Sequence, residues 1–297
     1  MDENIRFRAF GITDIGQVRE HNEDAIGLAI DQGYMVVADG MGGHNAGEVA
    51  SAIAIDEIAH HLSFSDCPAP SADNAVYSPQ TLHLRDAVIV ANAAILDAAK
   101  QDDARQGMGT TVVAMQFTAN RVAIAHVGDS RLYRFREGFL DQLTTDHTLV
   151  QEWLTRKLYT QEEARNAKNK NVITRALGLL EELEVDLLEE LVRSQDLYLL
   201  CSDGLSGMLD DTEISKVLSK HGQEPETAAM LLLKLANMAG GKDNISIIIV
   251  CVDTQLTLAT KKLIDILYVA RTLQKKKKKN KNKLITNKTE PQITETQ

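Results

Sequence analysis

Three short apolar runs along the chain each meet an aspartate beside a glycine or an asparagine. Residues 34–43, YMVVADGMGG, carry four apolar residues and an alanine into Asp39, with glycines directly after it. Residues 197–204, LYLLCSDG, repeat the pattern at Asp203, and residues 243–252, DNISIIIVCV, reverse it, with Asp243 opening the run. Unbroken apolarity over so few residues predicts strands buried on both faces, ended by turn residues. Looser alternation predicts further strands over 5–13, 110–117, 121–127, 131–136 and 184–190, with 128–130, Gly-Asp-Ser, as a tight turn. Helical spacing appears over 46–62, with Ile55, Ile58 and Leu62 on one face, and over 81–100, with Leu84, Val88, Ala91 and Ile95 in a stripe. Shorter helices are expected over 213–218 and 226–238. Residues 14–24 read as a polar loop and 63–79, with three prolines, as an exposed connection. Residues 146–175 are polar with helical spacing, and predict an excursion from the sheet, either a substrate-bordering segment or a solvated helical hairpin.

Composition adds limits rather than detail. A chain of 297 residues with 44% apolar and 25% charged content suits a globular protein with a sizeable core. No run of about 18 apolar residues predicts a membrane span, and the first residues lack a signal-peptide layout. Cys67, Cys201 and Cys251 have no metal-site spacing, and two of them lie inside apolar strands, which reads as small buried hydrophobes in a reducing, cytoplasmic setting. The net charge of −10 divides unevenly: residues 261–297 hold eleven Lys or Arg against three Asp or Glu, leaving −18 on the first 260. An acidic body disfavours nucleic acid. Residues 255–274 predict an amphipathic helix. Residues 275–297 predict a disordered basic tail, suited to solvent or to weak contact with an anionic membrane surface or acidic partner.

Asp39, Asp203 and Asp243 form an oxygen-ligand set with no Cys or His cluster nearby in sequence, which points to magnesium or manganese rather than structural zinc. Two such ions sharing a carboxylate at about 3.5–4 Å activate a water and neutralise a phosphoryl group. Arg19, from the polar loop, then suits an anionic oxygen pair. No serine or cysteine lies in a nucleophile-elbow setting, which argues against a covalent intermediate.

Eight segments, DIGQVREHNED (14–24), VVADGMGGHNAGEVAS (36–51), GMGTTVV (107–113), HVGDSRLYR (126–134), LTTDHTLV (143–150), ITRALG (173–178), LLCSDGLSGML (199–209) and GGKDNISIIIV (240–250), occur in one order. Together they resemble the metal-dependent serine/threonine phosphatases of the protein phosphatase 2C (PPM) family, in its compact bacterial form, over residues 1–254. The resemblance implies an α+β fold, an α–β–β–α sandwich of two antiparallel sheets flanked by helices, with a binuclear centre at one end. It implies direct attack of a water, activated at two Mn²⁺ or Mg²⁺ ions, on phosphoserine or phosphothreonine. By that likeness Asp39 bridges both ions, the Gly40 carbonyl binds the first, and Asp203 and Asp243 bind the second. Glu23 and Asp24 steer metal-bound waters, Arg19 binds phosphate, and Asp129 with Asp203 helps hold a weaker third ion. The segment after His147 matches a mobile flap. The implied partners are phosphorylated proteins, including a serine/threonine kinase and its substrates, with the enzyme acting as a monomer.

Two positions depart from the pattern. Met41 stands where eukaryotic relatives carry a histidine proposed as general acid, and Gly207 stands where many relatives carry a further aspartate. The first leaves the general acid to a metal-bound water or another group, with His44 nearby in sequence; the second weakens the third-ion site. A non-catalytic phosphoprotein-binding module is the rival class, but such modules usually lose a metal aspartate and this chain keeps the set. A two-metal nuclease fits the carboxylates and not the acidic body.

Overall fold

The computed structural model describes residues 6–42, 46–65, 67, 76–118, 120–160, 163, 167 and 172–253. His44 and the expected helix and basic tail beyond residue 253 lie outside the described residues, as does much of 161–171. Two antiparallel sheets stack face to face. In the first, β1 (Phe7–Asp14), β11 (Ile245–Val252), β10 (Leu197–Cys201), β7 (Arg131–Arg136) and β8 (Phe139–Gln142) lie in that order. In the second, β2 (Asp24–Ala29), β3 (Tyr34–Met41), β5 (Val112–Thr118), β6 (Arg121–Val127) and β9 (Asp186–Leu191) follow one another, with the short β4 (Gly109–Thr110) pairing to the end of β3.

The unbroken apolar runs are explained by a core in three layers. Along β11, Ile245, Ile247, Ile249 and Cys251 face the helices α5 (Asp211–His221) and α6 (Pro225–Met238), while Ile248, Val250 and Val252 face the opposite sheet. Along β3, Tyr34, Val36 and Ala38 face α1 (Ala46–Phe64) and α2 (Pro79–Gln101), while Met35 and Val37 meet the first sheet. A strand covered on both sides has no reason to alternate apolar with polar. The result is the expected α–β–β–α sandwich.

Helix α2 buries the predicted stripe of Leu84, Val88, Ala91 and Ile95 completely. In α1 the fully buried line is Ala50, Ala54 and Ile58, with Ala46 nearly so; Ile55 and Leu62 are only partly covered. Small side chains at a four-residue spacing let α1 lie close on β3 and α2. Capping fixes the helix starts: Ser78 caps α2 ahead of Pro79, and Asp210 and Glu213 form a reciprocal box at α5.

Several expectations need correction. Residues 14–24 are not loop throughout, since Asp24 already pairs with Asp39 as the first residue of β2. Neither β2 nor β8 is evident in the hydrophobic pattern, because both are short and part-exposed. Over 146–175 the described residues include a seven-residue helix, α3 (Leu149–Thr155), and a helical Glu163; the rest of the expected excursion lies largely outside the described residues. Asp203 opens a short helix, α4 (Asp203–Ser206), and Asp243 precedes its strand by two residues. Of the cysteines, Cys201 and Cys251 are buried as expected, whereas Cys67 is exposed.

Candidate active site

The carboxylates converge at one end of the sandwich, where chain ends and turns of both sheets meet. Asp24 and Asp39 are cross-strand neighbours on β2 and β3. The Ser202 hydroxyl, just ahead of α4, donates to Asp24 Oδ2 at 2.8 Å, joining the first sheet to the second at this point. Asp39 is anchored by its backbone: its N–H donates to Thr111 Oγ1 at 3.1 Å, and its carbonyl accepts from Thr111 N–H at 2.9 Å and Thr110 Oγ1 at 3.0 Å. That leaves its carboxyl group free of structural duty.

Asn244 holds the Arg19 loop against β11. Its amide donates to the Ile15 and His21 carbonyls at 3.0 and 2.9 Å, and its Oδ1 accepts from Glu23 N–H at 2.9 Å. The sequence reading missed this residue, although an asparagine next to a candidate ligand, ahead of an apolar strand, was the available signal. Gly40 is required by proximity: a Cβ there would collide with the Gly47 and Glu23 carbonyls. The close approach also brings Glu23 against the first turn of α1, where the Gly47 backbone N–H faces its carboxylate.

Electrostatics separates these acids from ordinary ones. Burial, reinforced by Asp24, Asp203, Asp129 and Asp243, holds the Asp39 carboxyl well above its usual range. Burial likewise pushes Asp24 up to about 6, and burial with the charge of Asp243 pushes Asp203 up to about 6. Asp129, on the Gly128-Asp129-Ser130 turn, rises to about 7 through burial and its neighbours Asp203 and Asp146. Two buried carboxylate oxygens, Asp24 Oδ1 and Asp129 Oδ1, have no hydrogen-bond partner.

Positive charge nearby is scarce. Arg19 Nη2 donates to Asp243 Oδ2 at 2.7 Å, with its side chain about half exposed. Arg131 is engaged by Asp146, through three contacts of 2.7 to 3.1 Å, and by the Tyr133 hydroxyl. Crowded, under-neutralised, oxygen-only carboxylates with bare buried oxygens fit hard divalent cations. Among the described residues, the one trio of ligand-type side chains with atoms all within 4.8 Å is His126, His147 and Asp186, not the aspartate set. At Gly207 there is no carboxylate; its N–H instead donates to the Asp203 carbonyl at 2.6 Å. Met41, at the end of β3, offers no proton to a leaving group.

Residues 16–233 match the family described as Protein phosphatase 2C. The chain belongs to that family. It is 39% identical over 243 residues to the serine/threonine phosphatase stp of Listeria monocytogenes, covering 80% of this chain and 93% of that one. It is also 39% identical over 239 residues to the serine/threonine protein phosphatase PstP of Mycobacterium tuberculosis, covering 80% of this chain and 43% of that longer relative. The crystal structure of that phosphatase superposes with a TM-score of 0.75 at 36% identity, over 83% of this chain and 99% of the other. A solved PstP catalytic domain in complex with two manganese ions gives a TM-score of 0.72 at 37% identity, over 83% and 98%. The family match spans the Arg19 loop, Asp39, Asp129 and Asp203, and the likeness in fold accounts for the sandwich and its helical covers.

Proposed function

We propose that this protein phosphatase 2C family member hydrolyses phosphoserine and phosphothreonine in proteins by direct attack of water, with Asp39, the Gly40 carbonyl, Asp203 and Asp243 holding two Mn²⁺ or Mg²⁺ ions. The observation that carries the reading is the gathering of buried, mutually repelling carboxylates around one space, two of them with bare oxygens. The manganese pair in the related PstP domain supports the choice of cation. Such ions, when bound, lower the pKa of a water and offset phosphoryl charge.

The chain's own groups divide the remaining work. Asp39, fixed through its backbone, presents its carboxylate between the two sheets' contributions. Glu23 and Asp24 stand behind it as acceptors for ordered water. Arg19 shares its charge with Asp243 through one nitrogen only, so its other N–H donors are suited to orient a phosphate. Ser130 and Ser202 are fully buried and hydrogen-bonded, which favours direct hydrolysis over a covalent intermediate. Asp129 with Asp203 is assigned to a weaker third ion.

The wider reading is an enzyme that opposes a serine/threonine kinase, acts as a monomer in the cytoplasm, and makes weak surface contacts through its basic tail. No described helix is long and apolar enough to cross a membrane. A manganese-titrated assay on phosphoserine, phosphothreonine and phosphotyrosine peptides tests the core of it. Turnover of the first two, absent without metal, is expected. Metal-independent turnover, or none on any peptide, would sink the assignment.

A further inference from the structure

His126, His147 and Asp186 lie apart from the aspartate set and have no part in the reaction as described above. His126 is 2% exposed, with neither ring nitrogen hydrogen-bonded, and burial followed by the neighbouring His147 lowers its pKa to about 3. Its ring lies 4.8 Å from that of His147, centroid to centroid. A His-His-Asp trio with ligand atoms within 4.8 Å resembles a site for a transition metal. One hydrogen bond decides against that. The Gly128 N–H donates to His147 Nδ1 at 3.0 Å, so Nδ1 carries the lone pair and the ring proton sits on Nε2. Nε2 then lies 3.2 Å from Asp186 Oδ2 with its proton in place but without a hydrogen-bond partner, so it has no lone pair to offer a metal.

The same residue grips the Gly128 peptide from both sides, because the His147 N–H donates to the Gly128 carbonyl at 2.7 Å. Gly128 adopts φ +111° and packs so tightly on Thr111 that a Cβ would collide with it. The next residue is Asp129, whose Oδ1 is buried with no partner of its own. What aims that carboxylate is therefore the turn, and what clamps the turn is His147. The His147 carbonyl also accepts from Thr174 N–H at 2.8 Å, and Thr148 bridges to Ile173. Both ends of the 149–172 excursion are thus stitched at the clamp. Asp186 is fixed in turn by Arg175 at 3.1 Å.

We infer that His147 is a positioning residue that locks the Gly128–Asp129 turn through Nδ1 and its backbone, and so aims the Asp129 carboxylate at the third cation. The inference rests on the proposed cation centre. The test is isothermal titration of Mn²⁺ into wild-type, His147→Ala and His147→Asn protein, with circular dichroism to check folding. Asparagine places an acceptor near the position of Nδ1 and lacks the reach to Asp186. Wild type is expected to show two tighter ions and one weaker. His147→Ala is expected to keep the tighter pair and lose at least about tenfold in the weaker affinity, as removing a group that orients a metal ligand typically does. His147→Asn is expected to recover most of that loss. Absence of the tighter pair in wild type would sink the active-site reading itself. Two tighter ions with no third in wild type, a third ion unchanged in His147→Ala, or equal loss in both variants would overturn the positioning role alone. So would cobalt(II) absorption in wild type that vanishes in His126→Ala, which would return the trio to metal binding.

Discussion

At the scale of single residues, the acids at the sandwich end are held in a state that metal-free protein does not favour. An unfolded aspartate titrates near 3.9, whereas Asp24, Asp203 and Asp129 rise to about 6, 6 and 7. Between about pH 4 and pH 7 the folded metal-free chain keeps protons that the unfolded chain has already released, so its stability falls as pH rises through that window. EDTA-treated protein should melt at a lower temperature at pH 7.5 than at pH 5, and added Mn²⁺ should raise the midpoint more at pH 7.5. A metal-free midpoint that climbs over the same interval would show the acids to be neutralised by something else. Asp39→Asn removes one member of the set, so it should raise metal-free stability at pH 7.5 while abolishing manganese-dependent turnover; a melting scan and a p-nitrophenyl phosphate assay read the two effects separately. If Arg19 orients phosphate as proposed, Arg19→Ala removes charge-assisted hydrogen bonds to it, which predicts a rise in KM of about ten- to a hundredfold with a smaller change in kcat. Unchanged KM and unchanged inhibition by inorganic phosphate would leave Arg19 as a partner of Asp243 alone.

At the scale of elements, the site depends on loops being tied to strands, and that is where the sequence was least legible. The apolar runs ending at Asp39 and Cys201, and the one following Asp243, are visible because strands covered on both faces abandon alternation. The stripe on α2 is visible because Leu84, Val88, Ala91 and Ile95 repeat at helical spacing. Strand β2 is hidden, since Ala25, Gly27 and Ala29 carry little hydrophobic signal and the pairing of Asp24 with Asp39 is long-range. Asn244 is hidden for a different reason: its worth lies in three backbone partners far away in sequence. Truncation to alanine leaves those groups without partners in a site where Asn244 is 4% exposed, and should cost about 2–4 kcal/mol. Urea unfolding measures the cost, and a raised KM alongside it would show that the loosened loop carries Arg19 with it. A loss under about 0.5 kcal/mol would mean that water replaces the amide without penalty.

At the scale of the whole molecule, two ends of one sandwich treat buried charge in opposite ways. Away from the Asp129 turn, the arginines of β7 reach across between the sheets: Arg136 binds Asp196 at 2.6 and 2.7 Å and the Leu191 carbonyl, and Arg134 pairs with Glu190 and Asp141. Each of those acids meets an arginine, although Glu190 Oε2 stays without a partner. At the opposite end Arg19 and Arg131 pair with Asp243 and Asp146, and cations at the proposed centre would offset the charge left on Asp24, Asp39 and Asp129. Every contact described for the site lies within residues 6–253, which belong to one compact unit. Ending the chain at Asp253 should therefore leave manganese-dependent turnover of p-nitrophenyl phosphate within about twofold of the full chain. Surface attachment is a separate property, because the balance of +8 over residues 261–297 contrasts with −18 on the rest. Each basic residue near an anionic bilayer contributes about 1 kcal/mol, a contribution that salt screens. Full-length protein should co-sediment with phosphatidylserine vesicles at low salt and release as salt rises, while protein ended at Asp253 stays in the supernatant. Equal sedimentation of the two forms would remove the tail from any account of where this phosphatase works, and the acidic body, repelled by the same surface, gives that comparison its contrast.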